Sequence, residues 1–389
     1  MTESAHSTHI ETAVQNALAT VARNLSAFAD RYPNDTTVAN RYQNRPALGA
    51  IASGGNHGWT TSFYAGMLWV AWQLSGEQDF REGAERYTAD FARRVRAGED
   101  LETHDLGFLY TLSSVAAWRL TGDDDARAAA LEAAEHLMRR FLEPAGIVQA
   151  WGDLADPKQS GRTIIDSLMN MPLLTWAYQQ TGDARFIDAV RRHSTQLRQH
   201  IIRPDDSTFH TFYWDVGTGE PLRGATEQGA FDDSCWARGQ AWGIYGFAMN
   251  GRALDDPELL EASRRCANYF LAHLPADRVP YWDLVYPEGS DAPRDSSAAS
   301  IAVCGLLELA ETVSNQAERD RFVAAAHGIL SSLIENYSPQ PPDSADALIL
   351  HGVYHLPEHV GVDEGNLWGD YFYLEALARV NDPSWRPAW

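Results

Sequence analysis

The chain has 389 residues, of which 53 are Asp or Glu and 31 are Lys or Arg, for a formal charge of -22. That balance excludes nucleic acid and anionic membrane as electrostatic partners, and no stretch approaches the roughly 18 apolar residues of a membrane span. With 44% hydrophobic residues and neither a linker nor a block of like charge, the expectation is one domain over residues 1–389.

The first ten residues, MTESAHSTHI, contain no basic region followed by an apolar one, so the expected location is cytoplasmic. Ile10 to Asp30 reads as an amphipathic helix ended by Pro33 and the turn-prone Asn34-Asp35. Ser62 to Gly76 is apolar nearly all round and is followed by a polar-faced helix, Asp79 to Arg96. The same pair recurs as Leu106–Leu120 with Ala126–Phe141, and as Ile165–Gln180 with Ala184–Ile202. It recurs again as Trp236–Met249 with Glu258–Leu274, and as Ser296–Thr312 with Glu318–Tyr337. Trp368–Val380 supplies a sixth buried helix, whose outer partner is the N-terminal helix.

Closing turns near Gly76, Gly122, Gly182, Gly251, Val313 and Asn381 recur every 46 to 69 residues, a spacing looser than an open solenoid keeps. Helices that are apolar on every side need neighbours on every side, and six of them supply each other by closing into a ring. The expected fold is therefore all-α, an (α/α)6 toroid. Strand signals are few: Thr208–Val216 with a turn at Gly217–Glu220, and Val279–Val285, are expected as short β-hairpins in loops at the mouth. Cys235, Cys266 and Cys304 are odd in number and widely spaced, which suits packing thiols, and no metal motif is present.

Polar residues gather where buried helices begin. Asp166 is a lone carboxylate at the entrance of the apolar helix Ile165–Gln180, and Asp105 holds the matching place one repeat earlier, each helix closing on Thr-Gly-Asp. An aspartate there can be a simple helix cap, but two at equivalent ends of neighbouring buried helices face a shared opening. His57, Trp59, His104, Gln228, Trp236 and Arg238 stand at the same ends, followed by Arg294, Asp295, Trp368 and Asp370. Parallel inner helices carry all of these to one face, where aromatic rings beside carboxylates suit a sugar. Taken singly, Trp59, Trp236, Trp242 and Trp368 read as packing residues, His57, His104 and His210 as structural histidines, and Asp295 and Asp370 as caps. Arg238 has no capping role, because a cation early in a helix opposes its dipole.

The segments His104–Leu109 (HDLGFL), Ile165–Asn170 (IDSLMN), Trp236–Trp242 (WARGQAW), Asp295–Ala299 (DSSAA) and Trp368–Tyr371 (WGDY), in this order over most of the chain, resemble the signature segments of the bacterial unsaturated glucuronyl hydrolases. The resemblance implies an (α/α)6 barrel, no metal or organic cofactor, and a substrate oligosaccharide ending in a 4,5-unsaturated uronic acid. It makes Asp166 the catalytic acid and base and Asp105 its partner carboxylate. Asp166 is then expected to protonate C4 while water adds at C5, and the hemiketal opens to release the remaining sugar. His210, Gln228, Trp236, Arg238 and Trp242 match positions that hold the unsaturated ring and its carboxylate, with His57, Trp59 and His104 as neighbours. A guanidinium fork would meet the need for local positive charge in so acidic a chain.

Rival readings are a conventional inverting glycosidase, with two carboxylates about 6.5–9.5 Å apart, a sugar epimerase working through His355 and His359, and a noncatalytic helical scaffold. Substrate preference is expected to reside in Gly217–Asp232 and Ser384–Trp389, neither of which carries a lysine cluster for a strongly sulfated substrate. Oligomeric state is not legible in the sequence.

Overall fold

In the computed structural model, which describes residues 3–339 and 345–389, six buried helices stand side by side. They are Thr61–Ser75; Leu106–Tyr110, running on through Thr111–Val115 to Ala116–Thr121; Ile165–Asn170 with Met171–Thr181; Ala237–Leu254; Ser296–Thr312; and Leu367–Asn381. Each packs on the next, and Leu367–Asn381 returns to Thr61–Ser75, so the ring closes. Every residue from Ala237 to Gly251 is buried, which only neighbours on both flanks can achieve. The outer layer consists of Gln78–Ala97, Asp124–Met138, Ala184–His200, Pro257–Ala272 and Gln316–Ser332, completed by Glu3–Phe28 against Leu367–Asn381. This is the expected toroid, and no helix among the described residues is long and apolar enough to cross a membrane.

The Thr-Gly-Asp turns stop one helix and start the next. Gly122 and Gly182 take the left-handed conformation (φ 76° and 73°) and return their N–H groups to Trp118 and Tyr178. Asp123 and Asp183 then cap the outer helices, accepting from the N–H groups of Asp125 and Arg185. Two inner helices depart from regular α geometry. Thr111–Val115 is π-helical, and Ile165–Asn170 is a 3-10 turn ahead of Pro172, which opens the α-helix proper. Gly107 lets these two helices touch, since a Cβ there would lie 2.2 Å from the Asn170 Cα.

Short antiparallel strands decorate the loops. Thr211–Trp214 pairs with Pro221–Ala225, as expected, and also with Arg162–Ile164 in a three-stranded sheet. Pro33–Val38 pairs with Arg41–Asn44, and Gly352–His355 with Val360–Glu364. The Val279–Val285 stretch forms no hairpin: Tyr281 and Asp283 make isolated bridges to Arg294 and Trp236. There the Asp283 carboxylate takes the N–H groups of Ala230, Cys235 and Val285 in place of a strand ladder. The three cysteines are free and buried.

The C-terminal residues do not reach the mouth. Trp389 lies parallel to the Phe372 ring at 5.9 Å, sits 6.0 Å from Phe108, and donates its indole N–H to Glu375 Oε2 at 2.9 Å. With Pro387 it joins Arg119, Thr175, Gln179 and Arg252 at the C-terminal ends of inner helices. Ser384–Trp389 therefore cannot act as a loop that reads the substrate, because burying its aromatic end draws it to the opposite end of the ring.

Candidate active site

At the N-terminal ends of the inner helices lies a cavity of about 610 Å³. Asp105 occupies the cap position of Leu106–Tyr110 yet makes no capping hydrogen bond, so that explanation for its carboxylate fails. Instead Oδ2 accepts from Thr103 Oγ1 at 2.7 Å, and Oδ1 lies 3.2 Å from His104 Nε2. The same imidazole nitrogen stands 3.6 Å from Asp166 Oδ1. The three donor atoms all lie within 4.8 Å of one another.

Their electrostatics differ sharply. Burial is the main cause that lifts the Asp166 carboxyl to about 7; His104 and Arg238 pull it down, while the charge of Asp105 adds to the rise. Burial works against ionisation of Asp105 too, but His104, Thr103 and Asn170 outweigh it and hold that carboxyl below its usual range. For His104, burial disfavours the charge, yet the two carboxylates prevail and raise its pKa. Near neutral pH the pair therefore comprises a protonated or readily protonated acid beside a fixed anion, an arrangement suited to proton transfer.

The turn that carries Asp166 is braced from behind. His193, buried on the outer helix Ala184–His200, accepts the Val148 N–H at Nδ1 (3.0 Å). Nε2 must then carry the ring proton of the neutral imidazole and donate it to Ser167 Oγ at 2.8 Å, while Ser167 donates to the Ile164 carbonyl at 2.5 Å. Burial, with a smaller contribution from His104, pushes the His193 pKa down to about 3, which keeps this tautomer neutral.

Trp59, His104, Asp105, Asp166, Gln228, Trp236, Arg238 and Trp242 all line the cavity; His57 and His210 do not. His57 Nε2 lies 2.7 Å from the Pro46 carbonyl. His210 stands edge-on to Trp236 at 4.7 Å and accepts the Glu227 N–H at 3.0 Å, so it fixes the wall instead of forming it. Arg238 is committed to the protein: Nη1 donates to Asp295 and the Val353 carbonyl, and Nη2 to Gln228 and the Tyr354 carbonyl. Its guanidinium lies between Trp236 and Trp368, 4.4 and 4.9 Å from their centroids.

The remaining polar residues at helix entrances turn away. Trp368 is buried and donates to Ser297 Oγ, Asp295 caps Ser296–Thr312 while pairing with Arg238, and Arg294 stacks on Tyr281. Asp370 is not the cap of its helix, a role Asn366 takes; it anchors Tyr42 and the N–H groups of Leu348 and Ile349. Sequence reasoning missed Trp151, Arg162 and Tyr354 on the cavity wall, and named His355, which also lines it, only for the epimerase reading. Arg162 stacks on Trp151 at 4.1 Å, and the position of that arginine depends on strand pairing that no local pattern announces.

Known proteins share the sequence and the fold over most of the chain. Residues 28–340 match the model of Glycosyl Hydrolase Family 88. The chain is 44% identical over 369 residues to the unsaturated glucuronyl hydrolase of Bacillus sp. (strain GL1), covering 95% of this chain and 96% of that relative. It is 43% identical to the unsaturated chondroitin disaccharide hydrolase of Streptococcus pyogenes serotype M1, covering 98% and 93%. The crystal structure of the Bacillus sp. GL1 enzyme, described as responsible for the degradation of glycosaminoglycan, superposes with a TM-score of 0.90 at 43% identity over 95% of this chain and 96% of that one. A variant of the Streptococcus agalactiae unsaturated glucuronyl hydrolase complexed with dGlcA-GalNAc6S superposes with a TM-score of 0.85 at 38% identity, over 98% and 93%. With a closed ring of six helix pairs and two carboxylates at its mouth, the chain belongs to Glycosyl Hydrolase Family 88.

Proposed function

We propose that the protein hydrolyses oligosaccharides bearing a nonreducing 4,5-unsaturated glucuronic acid, by hydrating the C4=C5 vinyl ether. The observation that carries this reading is the Asp105–Asp166 pair, with Asp166 raised to about 7 and its donor atom within 4.8 Å of that of Asp105. Asp166 delivers its proton to C4; the carboxylate left behind takes a proton from water as the oxygen adds at C5. The resulting hemiketal opens, breaking the bond to the leaving sugar. Asp105 stays ionised and stabilises the cationic character that builds at C5. The Gln228 amide and the indoles of Trp59, Trp236 and Trp242 bind and orient the unsaturated ring.

A cavity of about 610 Å³ accommodates a disaccharide-sized ligand. Its rim carries the carboxylates of Asp100, Glu102, Glu227 and Glu358, which favours an unsulfated leaving sugar. One oxygen of each carboxylate lies within 4.8 Å of the other, which speaks against the inverting glycosidase reading, where the carboxyl groups stand about 6.5–9.5 Å apart to seat a water. An epimerase would need paired histidines, but His355 lines the cavity while His359 is exposed at a hairpin tip.

The test is loss of ultraviolet absorbance from the conjugated uronate on incubation with lyase-generated disaccharides, with and without sulfate. In heavy water the product should carry deuterium at C4. Asp166→Asn should lose at least the roughly 10²- to 10⁴-fold credited to general acid-base catalysis. Product lacking deuterium at C4, or near-normal turnover in that variant, would return the reaction to direct displacement.

A further inference from the structure

The cavity floor contains more than a proton relay. Among the described residues four buried polar atoms there make no hydrogen bond of good geometry, Nδ1 and Nε2 of His104, Oδ1 of Asp105 and Oδ1 of Asp166, and Nε2 meets the two carboxylate oxygens only as ionic contacts at 3.2 and 3.6 Å. His104 is fully buried and Asp105 is 7% exposed, so water does little to satisfy them. Among the described residues this is the one group of three or more His, Cys, Asp or Glu side chains spaced to hold a metal ion.

The spacing and the donor types fit one class of cation. A four-coordinate zinc ion has bonds of about 2.0–2.2 Å, which tetrahedral geometry converts into ligand-to-ligand edges of about 3.3 Å. The two edges from His104 Nε2 measure 3.2 Å to Asp105 and 3.6 Å to Asp166. The third edge, between the two carboxylate oxygens, is within 4.8 Å, and rotation of the Asp166 carboxyl would be needed to bring it to the tetrahedral value. One imidazole and two carboxylates suit zinc, whereas magnesium asks for six oxygen ligands in a near-ideal octahedron. Thr103 donates to Asp105 Oδ2, which leaves Oδ1 against His104 Nε2, as the hydrogen-bond partner behind a ligand does in metal sites. Three protein ligands leave the fourth position facing the cavity.

We propose that His104, Asp105 and Asp166 form a zinc-binding site in the substrate-free protein, and that zinc held there inhibits hydrolysis in competition with the sugar. The inhibitory half rests on the function proposed above, because zinc would occupy the lone pairs that the proton donor and its partner use. The binding half stands on the donor geometry alone. His104 Nδ1 has no acceptor to orient it, a feature that typically costs about 10- to 100-fold in metal affinity, so the ion should exchange freely.

The experiment titrates ZnCl₂ into the full chain by calorimetry without substrate, alongside His104→Ala, Asp105→Asn and Asp166→Asn, each first checked for a cooperative melt. One site per chain is expected, weakened at least tenfold in each variant, with Co²⁺ giving the intense visible bands of four-coordinate geometry. In assays on an unsaturated disaccharide, zinc should raise KM without changing kcat, and EDTA should reverse the effect. Equal titration of parent and variants would mean adventitious binding to surface carboxylates and would overturn the site. One-to-one binding that leaves KM unchanged would overturn the inhibition. If no unsaturated sugar is hydrolysed at all, the function fails, while the calorimetry still decides the metal site.

Discussion

His193 and Ser167 are joined by a 2.8 Å hydrogen bond whose direction is fixed, because the other imidazole nitrogen is occupied by the Val148 N–H. The bond ties an outer helix to the 3-10 turn that presents Asp166. His193 is thus a positioning residue for the proton donor. His193→Ala should lower kcat by about 10²-fold, the scale of a 1 Å misplacement at a reacting centre. It should also move the alkaline limb of the pH profile, since the burial of Asp166 sets that limb. His193→Gln, which retains a donor toward Ser167, should recover part of both. A variant that only melts earlier, with an unmoved pH limb, would leave His193 a packing residue.

His104 lowers the Asp166 pKa, so removing it should let that pKa rise. In His104→Gln the fall in activity at high pH should therefore move upward from about 7, even as maximal turnover drops. A downward move would mean that the limb belongs to another group.

Asp166 should also cost stability. Its folded pKa of about 7 exceeds the ordinary 3.8, so the protonated form is the one the fold favours. The contribution is complete below about pH 3.8, declines above it, and is lost as pH passes about 7. Asp166→Asn has no such slope and should be the more stable protein at pH 8, by an amount on the order of 4 kcal/mol at most. The advantage should vanish near pH 4. Parallel melting curves across this range would contradict the buried, neutral acid.

These relationships differ in how far the sequence announces them. Asp105 and Asp166 stand out because a carboxylate inside an apolar period is costly without a purpose. The ring follows from helices with no polar face to give to water. His193 had a weaker signal: it continues the buried stripe of Phe186, Val190 and Leu197, where a histidine needs partners. Nothing local places Arg162, because its strand pairs with Thr211–Trp214, about fifty residues away. Nor could composition reveal that Trp389 would sink beneath the ring, since that depends on a gap left by distant aromatic side chains.

Arg238 offers the sharpest separation between binding and folding. Sequence reasoning assigned it to the substrate carboxylate, but four of its N–H groups already serve Asp295, Gln228 and two carbonyls of the Gly352–His355 strand. Asp295 and Arg238 are both almost wholly buried. Removing one partner from such a pair leaves the other charge uncompensated, at a cost of about 3–5 kcal/mol. Arg238→Met should therefore lower the melting temperature sharply, and the wall formed by Val353 and Tyr354 should loosen with it. Adding Asp295→Asn should recover part of that loss, because the stranded charge is gone; the double-mutant cycle isolates the coupling. Arg238→Lys keeps a charge but not the planar fork between two indoles, so it should rank between parent and Arg238→Met in stability. If Arg238→Met melts like the parent and only raises KM, the guanidinium is a ligand for the substrate carboxylate and its internal bonds are incidental.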